Sequence, residues 1–192
     1  MSTDFIFRRK AVKSLTNDIG VYVLADLDNV PIYVGQSKDG IRSRVARHLT
    51  SARSDIIANR QIDVWEIAYV WAYPVNDQNN ISPLEAALFH RHNKISQLMN
   101  GAMLPPPPKR FAIPKPSQIV QVMSNEEIKD KLDEAQRLPR QAAHYAQIVG
   151  HFVAVKNSSQ IAVAMDAHFQ RLKTYHQRLL KEAKPDDSET DA

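Results

Sequence analysis

Two tyrosines, an arginine, a histidine and a glutamate in the first half of this chain are of types that together handle protons, anions and cations. Tyr22 ends the string Gly20-Val21-Tyr22, and Tyr33 opens the string Tyr33-Val34-Gly35. On neighbouring antiparallel strands both phenols can face one cleft, although cross-strand packing alone accounts equally for such a pair. Arg44 and His48 stand four residues apart, so on a helix they project from one face. A guanidinium there can grip a phosphate and an imidazole can handle a proton of an attacking water. The plainer reading is a helix that is simply basic, since Arg42 and Arg47 lie beside them. Glu85 follows Ser82-Pro83-Leu84. Ser-x-x-Glu is a capping box that would occupy the glutamate locally, and local pattern alone favours that use.

The elements that must carry these residues can be read from patterning. Residues 19–27 (IGVYVLADL) are rich in β-branched and apolar types, break at Asp28-Asn29, and resume as Val30-Pro31-Ile32-Tyr33-Val34, the pattern of a β-hairpin. A basic helix is expected from about 40 to 54, and a long aromatic strand over 62–75. A second helix should open at Ser82 as N-cap, with Pro83 in its first turn, and stop before Asn100-Gly101. The order β-β-α-β-α gives an α+β fold with a three-stranded antiparallel sheet flanked by helices. Pro105 to Pro108 cannot continue a helix or enter a central strand, so 1–104 reads as one domain and 105–117 as a stiff proline-rich linker. Beyond it, 118–183 reads as helical: a capping box at Ser124-x-x-Glu127, a helix opening at Pro139, and another carrying Ile161, Met165, Phe169, Leu172 and Tyr175. Residues 184–192 read as a disordered acidic tail.

Charge is unevenly distributed. Residues 1–113 hold 14 Lys/Arg against 10 Asp/Glu, whereas 114–192 hold 11 of each, so the formal net charge of +4 sits entirely in the first part. Lys38, Arg42, Arg44, Arg47, Arg53 and Arg60 fall within 23 residues that contain only Asp39 and Asp55 as acids, a stretch suited to a polyanion. The chain has no cysteine, which removes disulfides and thiolate metal sites and fits a reducing, cytoplasmic setting. No apolar run approaches the ~20 residues of a membrane span.

In this order and on these elements the pieces resemble the GIY-YIG nuclease family over about Gly20 to Asn100. GVY and YVG stand for the two eponymous tripeptides, IRSRVARHL (Ile41 to Leu49) for the arginine helix, SPLEAALF (Ser82 to Phe89) for the glutamate helix, and LMNG (Leu98 to Gly101) for the closing asparagine. The resemblance implies a DNA endonuclease, a phosphodiester hydrolase, and leaves RNA open as the alternative nucleic acid. It implies one divalent metal held through Glu85, and a single carboxylate with waters suits Mg²⁺ or Mn²⁺. It also implies that Arg44 neutralises the phosphate and that Tyr22 or Tyr33 takes a proton from water, its pKa lowered by Arg44 and the metal, with His48 sharing the proton or holding Tyr22. Lys38, Arg42, Arg47, Arg53 and Asn100 would contact nucleic acid. For this to hold, tyrosines, arginine, histidine and glutamate must converge on one pocket. The alternative is an inactive scaffold of the same fold. Where excision-repair members carry a lysine after the second glycine, this chain has Gln36. The near-neutral C-terminal helices would serve as a dimer or protein-partner surface.

Overall fold

The computed structural model describes residues 3–50, 61–155 and 158–182. Arg53, Arg60 and the tail 184–192 lie outside the described residues. A helix, α1 (Thr3–Lys13), precedes the hairpin β1 (Gly20–Ala25) and β2 (Pro31–Ser37). Then come α2 (Ile41–Thr50), β3 (Tyr69–Pro74), α3 (Ile81–Asn93), β4 (Gln118–Gln121), α4 (Asn125–Leu132), α5 (Glu134–Ala154) and α6 (Ser159–Glu182). Among the described residues no helix is long and apolar enough to cross a membrane.

The four strands form one antiparallel sheet in the order β2-β1-β3-β4. The α+β architecture and the order β-β-α-β-α are as expected, but the sheet has four strands rather than three. The fourth, Gln118–Gln121, comes from the segment expected to be helical. Its four residues give too short a pattern to stand out, and it forms because the outer edge of β3 offers unpaired backbone groups. The aromatic stretch 62–75 is a strand only from Tyr69; its start is a short 3-10 turn, Val64–Glu66, capped by Asp63. Pro139 sits inside α5 rather than opening it, because Asp133 caps the helix six residues earlier.

Every residue of β1 is buried, since the central strands are covered on both faces. Tyr22 and Leu24 face a core with Val45 and Leu49 of α2 and Val12 of α1, whereas Val21 and Val23 face Ile81, Leu84 and Leu88 of α3. The helix α1 carries no clear apolar stripe because Arg8 takes a core-facing place: it is 2% exposed, donates to the Val64 carbonyl at 3.0 Å and lies over the Trp65 ring. The helices α5 and α6 grip the β1–β2 turn through buried charges. Arg137 donates to Glu66 (2.8 Å) and Asp28 (2.8 Å), and Arg171 donates to Asp26 (2.6 Å) and to the Pro31 carbonyl (3.1 Å). Removing one partner of such a pair strands the other charge away from water, so the hairpin that carries both tyrosines is braced at its turn.

Candidate active site at the edge of β2

The hairpin register pairs Tyr22 with Gly35 and Leu24 with Tyr33, so Tyr22, Tyr33 and Gly35 share the face covered by α2. The short side of this arrangement is Gly35. A Cβ there would lie 2.6 Å from Cζ of Tyr22 and 2.8 Å from Cε1 of Tyr33, so only glycine lets the Tyr22 phenol lie across β2 toward the edge of the sheet. The Tyr22 hydroxyl is 2.6 Å from Nε2 of His48. The ring centroids of Tyr33 lie 6.3 Å from Tyr22 and 6.2 Å from His48. Tyr22 and His48 are each 1% exposed, while Tyr33 and Arg44 are half-buried.

The helix α2 is held in place from outside the hairpin. Its first amides are taken by the loop before β1: Ile41 N–H donates to Asp18 O, Arg42 N–H to Thr16 O and Ser43 N–H to the Asn17 side chain. Gly40, at φ +110°, makes the close approach to Asn17 that this requires. The helix therefore presents side chains, not its N-terminus, to a ligand. Arg44 and His48 point to Tyr22, and Arg42, Arg47 and Lys38 are exposed to solvent nearby in sequence.

Burial pushes the Tyr22 phenol well above its usual value near 10, and the neighbouring Tyr33 adds to this; Arg44 opposes it by hydrogen bond and charge, and Glu85 adds a smaller upward push. The expected lowering by Arg44 is thus outweighed by burial in the metal-free protein. Convergence on one face does not occur, since α2 and α3 cover opposite faces of the sheet. Tyr22, Tyr33 and Gly35 lie on the α2 side of β1 and β2, and Glu85 lies with Gln36 on the α3 side.

Glu85 is free of the local use its pattern suggested. Asp77 caps a 3-10 turn, Gln78–Asn80, that runs directly into α3, so the helix begins at Ile81 and Ser82 is already inside it. A serine in the first turn cannot be the N-cap, and the capping box is not formed. Glu85 is half-buried, makes no hydrogen bond or ion pair with a described residue, and is pushed up to about 7 by burial. It opens on a groove of about 430 Å³ between Gln36 on β2, Ser82 and Glu85 on α3, and Leu104, Pro105 and Pro106 of the proline run. A lone carboxylate of this kind, with no cation among the described residues to offset it, fits one hard divalent ion completed by waters. Clusters of three or more ligating side chains are absent among the described residues.

Asn100 lies elsewhere. It is 8% exposed; its Oδ1 accepts from Val34 N–H (3.1 Å) and its Nδ2 donates to Val34 O (2.7 Å), which ties the end of the loop after α3 to the outer edge of β2. Its amide is used by backbone and positions β2 beside the site. Asn93 ends α3 six residues earlier than expected, accepting from Leu98 N–H at 2.8 Å as the chain turns back to β2. Sequence reasoning passed over two features here. Gln36 lines the groove with a buried Oε1 that accepts no hydrogen bond, and His90 fastens the proline run by bonds to Leu104 O (2.8 Å) and Pro105 O (3.1 Å). The spacing of fourteen residues between His90 and Leu104 carries no local signal.

No curated protein and no solved structure gives a significant match to the chain. Residues 18–100, from the loop that holds α2 to the asparagine that holds β2, match the family model of the GIY-YIG catalytic domain.

Proposed function

We propose that this protein is a cytoplasmic endonuclease that hydrolyses DNA phosphodiester bonds with one divalent cation, Mg²⁺ or Mn²⁺, held by Glu85. The observation that carries this reading is Glu85 itself: a half-buried carboxylate that no cation or donor among the described residues offsets, on a sheet whose opposite face carries Tyr22, His48 and Arg44. The chemistry a bound cation supplies is stabilisation of charge at the phosphate and at the leaving 3′ oxygen. Arg44 neutralises the non-bridging oxygens. Tyr22 takes a proton from the attacking water as it passes its own to Nε2 of His48 across the 2.6 Å contact, so no resting tyrosinate is needed in a site that disfavours one. Tyr33 bounds the pair, and its phenol adds to the cost of ionising Tyr22, so only one serves as base. Lys38, Arg42 and Arg47 take flanking phosphates and set the salt dependence; Arg53 follows in the same basic stretch. Asn100 acts through Val34 as a positioning residue. The products are a 5′-phosphate and a 3′-hydroxyl.

Incubating plasmid and single-stranded DNA with Mg²⁺ or Mn²⁺ tests the reading. Glu85→Ala and Arg44→Ala should each lose at least ~10²-fold in cleavage rate, the scale of removing one charge stabiliser. Tight DNA binding without cleavage by the wild-type protein on any substrate would establish the inactive scaffold instead.

A further inference from the structure

The arginines of α5 and α6 serve the fold: Arg137, Arg140, Arg171 and Arg178 all pair with acids, among them Asp26, Asp28, Asp63 and Glu66. On the layer that α1 and α2 form, the reverse holds. Arg9, Lys10, Lys13, Lys38, Arg42 and Arg47 are exposed, and none of them forms an ion pair with a described residue. The exposed acids of residues 4–18 and 38–50 are Asp18 and Asp39, and Asp18 accepts from the Thr16 hydroxyl. Three of these cations lie on α1, before the matched residues 18–100. Ile6, Arg9, Lys10 and Lys13 recur at the spacing of one helix face and together line a groove of about 240 Å³. The other face of α1 is fixed. Arg8 donates to the Val64 carbonyl, and Val12 and Leu15 enter the core beside Val45 and Leu49 of α2. Just past the helix, Thr16 N–H donates to Oε1 of Gln118 on β4 at 2.8 Å, while Thr16 O accepts from Arg42 N–H at 3.0 Å. The end of α1 that carries Lys10 and Lys13 is thereby tied to the first turn of α2, where Arg42 lies. Cations in a last turn also offset the helix dipole, but in a first turn the dipole opposes them. Arg42 therefore gains nothing from its own helix.

We propose that α1 is a second nucleic-acid contact, outside the matched catalytic domain: Arg9, Lys10 and Lys13 grip backbone phosphates of the strand that α2 engages, with Arg42 continuing the track between the two helices. This rests on the nuclease reading above for the identity of the polyanion. Charged heads on flexible stems suit phosphates and carry no sequence information, so the grip is indifferent to base. From Arg9 to Lys13 the helix rises about 6 Å, the axial length of roughly two nucleotides of one strand, which leaves each cation a phosphate within reach. Each phosphate neutralised releases counterion and adds about 0.7–0.9 to the salt dependence of binding, so the three cations together contribute about 2–3. Because Arg8, Val12, Leu15 and Thr16 hold α1 from behind, the stripe meets its ligand already in place.

Binding measured in EDTA, where no metal supports cutting, tests this apart from catalysis. The full chain and the triple variant Arg9→Gln/Lys10→Gln/Lys13→Gln are titrated onto fluorescently labelled duplex and single-stranded DNA, and anisotropy is followed across about 50–200 mM NaCl. The variant should bind about 10–100-fold more weakly at the lowest salt, with a log–log salt slope shallower by about 2–3, and keep the wild-type Tm. A control that removes three exposed lysines of the C-terminal helices, Lys129→Gln/Lys173→Gln/Lys181→Gln, should leave affinity and slope nearly unchanged. Equal slopes for wild type and the α1 variant would overturn the contact. So would an equal loss in the control, which would make net charge rather than α1 the cause, and so would a wild-type protein that binds neither DNA. Unchanged DNA binding with lost binding to vesicles of anionic lipid would also overturn it, assigning the stripe to a membrane surface. With Mg²⁺, the α1 variant should raise KM while kcat stays within about twofold, as expected for uniform binding lost away from the reacting groups. A protein that grips DNA through α1 yet cuts no substrate keeps this proposal and fails the nuclease reading; one that cuts with no dependence on α1 does the opposite.

Discussion

Replacing Glu85 by glutamine should make the metal-free protein more stable at pH 8 and leave it nearly unchanged at pH 4. Burial raises the carboxyl from 4.5 to about 7, so the folded protein holds this proton more tightly than the unfolded chain does. Folding is therefore favoured by the protonated form, and that advantage is full below about pH 4.5 and lost as pH rises through about 7. The full interval corresponds to about 3 kcal/mol, and the open groove lets water screen part of it, leaving on the order of 1–2 kcal/mol. Glutamine has no charge to desolvate and keeps the shape, so it recovers that amount at pH 8. For a chain of this length the gain is roughly 2–8 °C in Tm. Circular dichroism melts of both proteins in EDTA, at pH 8 and at pH 5, measure it. Saturating Mn²⁺ should then stabilise the wild type and not Glu85→Gln, reversing the order. Equal melting of the two proteins in EDTA at pH 8, or a difference that does not shrink at pH 5, would refute the account of Glu85 as an uncompensated carboxylate.

Proton and metal compete for the same group, so Mn²⁺ affinity measured by calorimetry should be about tenfold weaker at pH 6 than at pH 8; a carboxylate of ordinary pKa would show no change across that range. Gly35→Ala puts a methyl group where the Tyr22 and Tyr33 rings lie, and cleavage should fall by ~10²-fold as the phenol is displaced from His48. Wild-type cleavage by this variant would show that the place of Tyr22 over residue 35 is immaterial. Asn100→Ala leaves both backbone groups of Val34 without partners in a buried strand, at a cost of about 2–4 kcal/mol read from urea unfolding. Asn100→Asp, which keeps the acceptor alone, should fall between.

The hairpin, the arginine–histidine helix and the glutamate helix were legible in the sequence because each is set by local pattern. Branched and aromatic residues interrupted by Asp28-Asn29 leave little choice but a turn, and Asn29 indeed takes a positive φ there. The spacing of Arg44 and His48 puts both on one face of any helix, whatever it packs against. The resemblance that the family model bears out followed from the order of these short strings, since each alone had a bland explanation. Glu85 shows where local reading ends. Its Ser-x-x-Glu pattern suggested a cap, but a cap depends on where the helix starts, and the upstream turn at Gln78–Asn80 moved that start by two residues. The placing of the phenol under α2 and of the carboxylate with α3, on the two faces of one sheet, depends on long-range packing that the spacing does not carry. The fourth strand, the burial of Arg8 and the wall that Leu104 to Pro108 build beside Gln36 are of the same kind. Proline fixes its own φ and so announces a stiff segment, but which surface that segment lies against is decided by long-range packing, here by His90 and the apolar core beneath it.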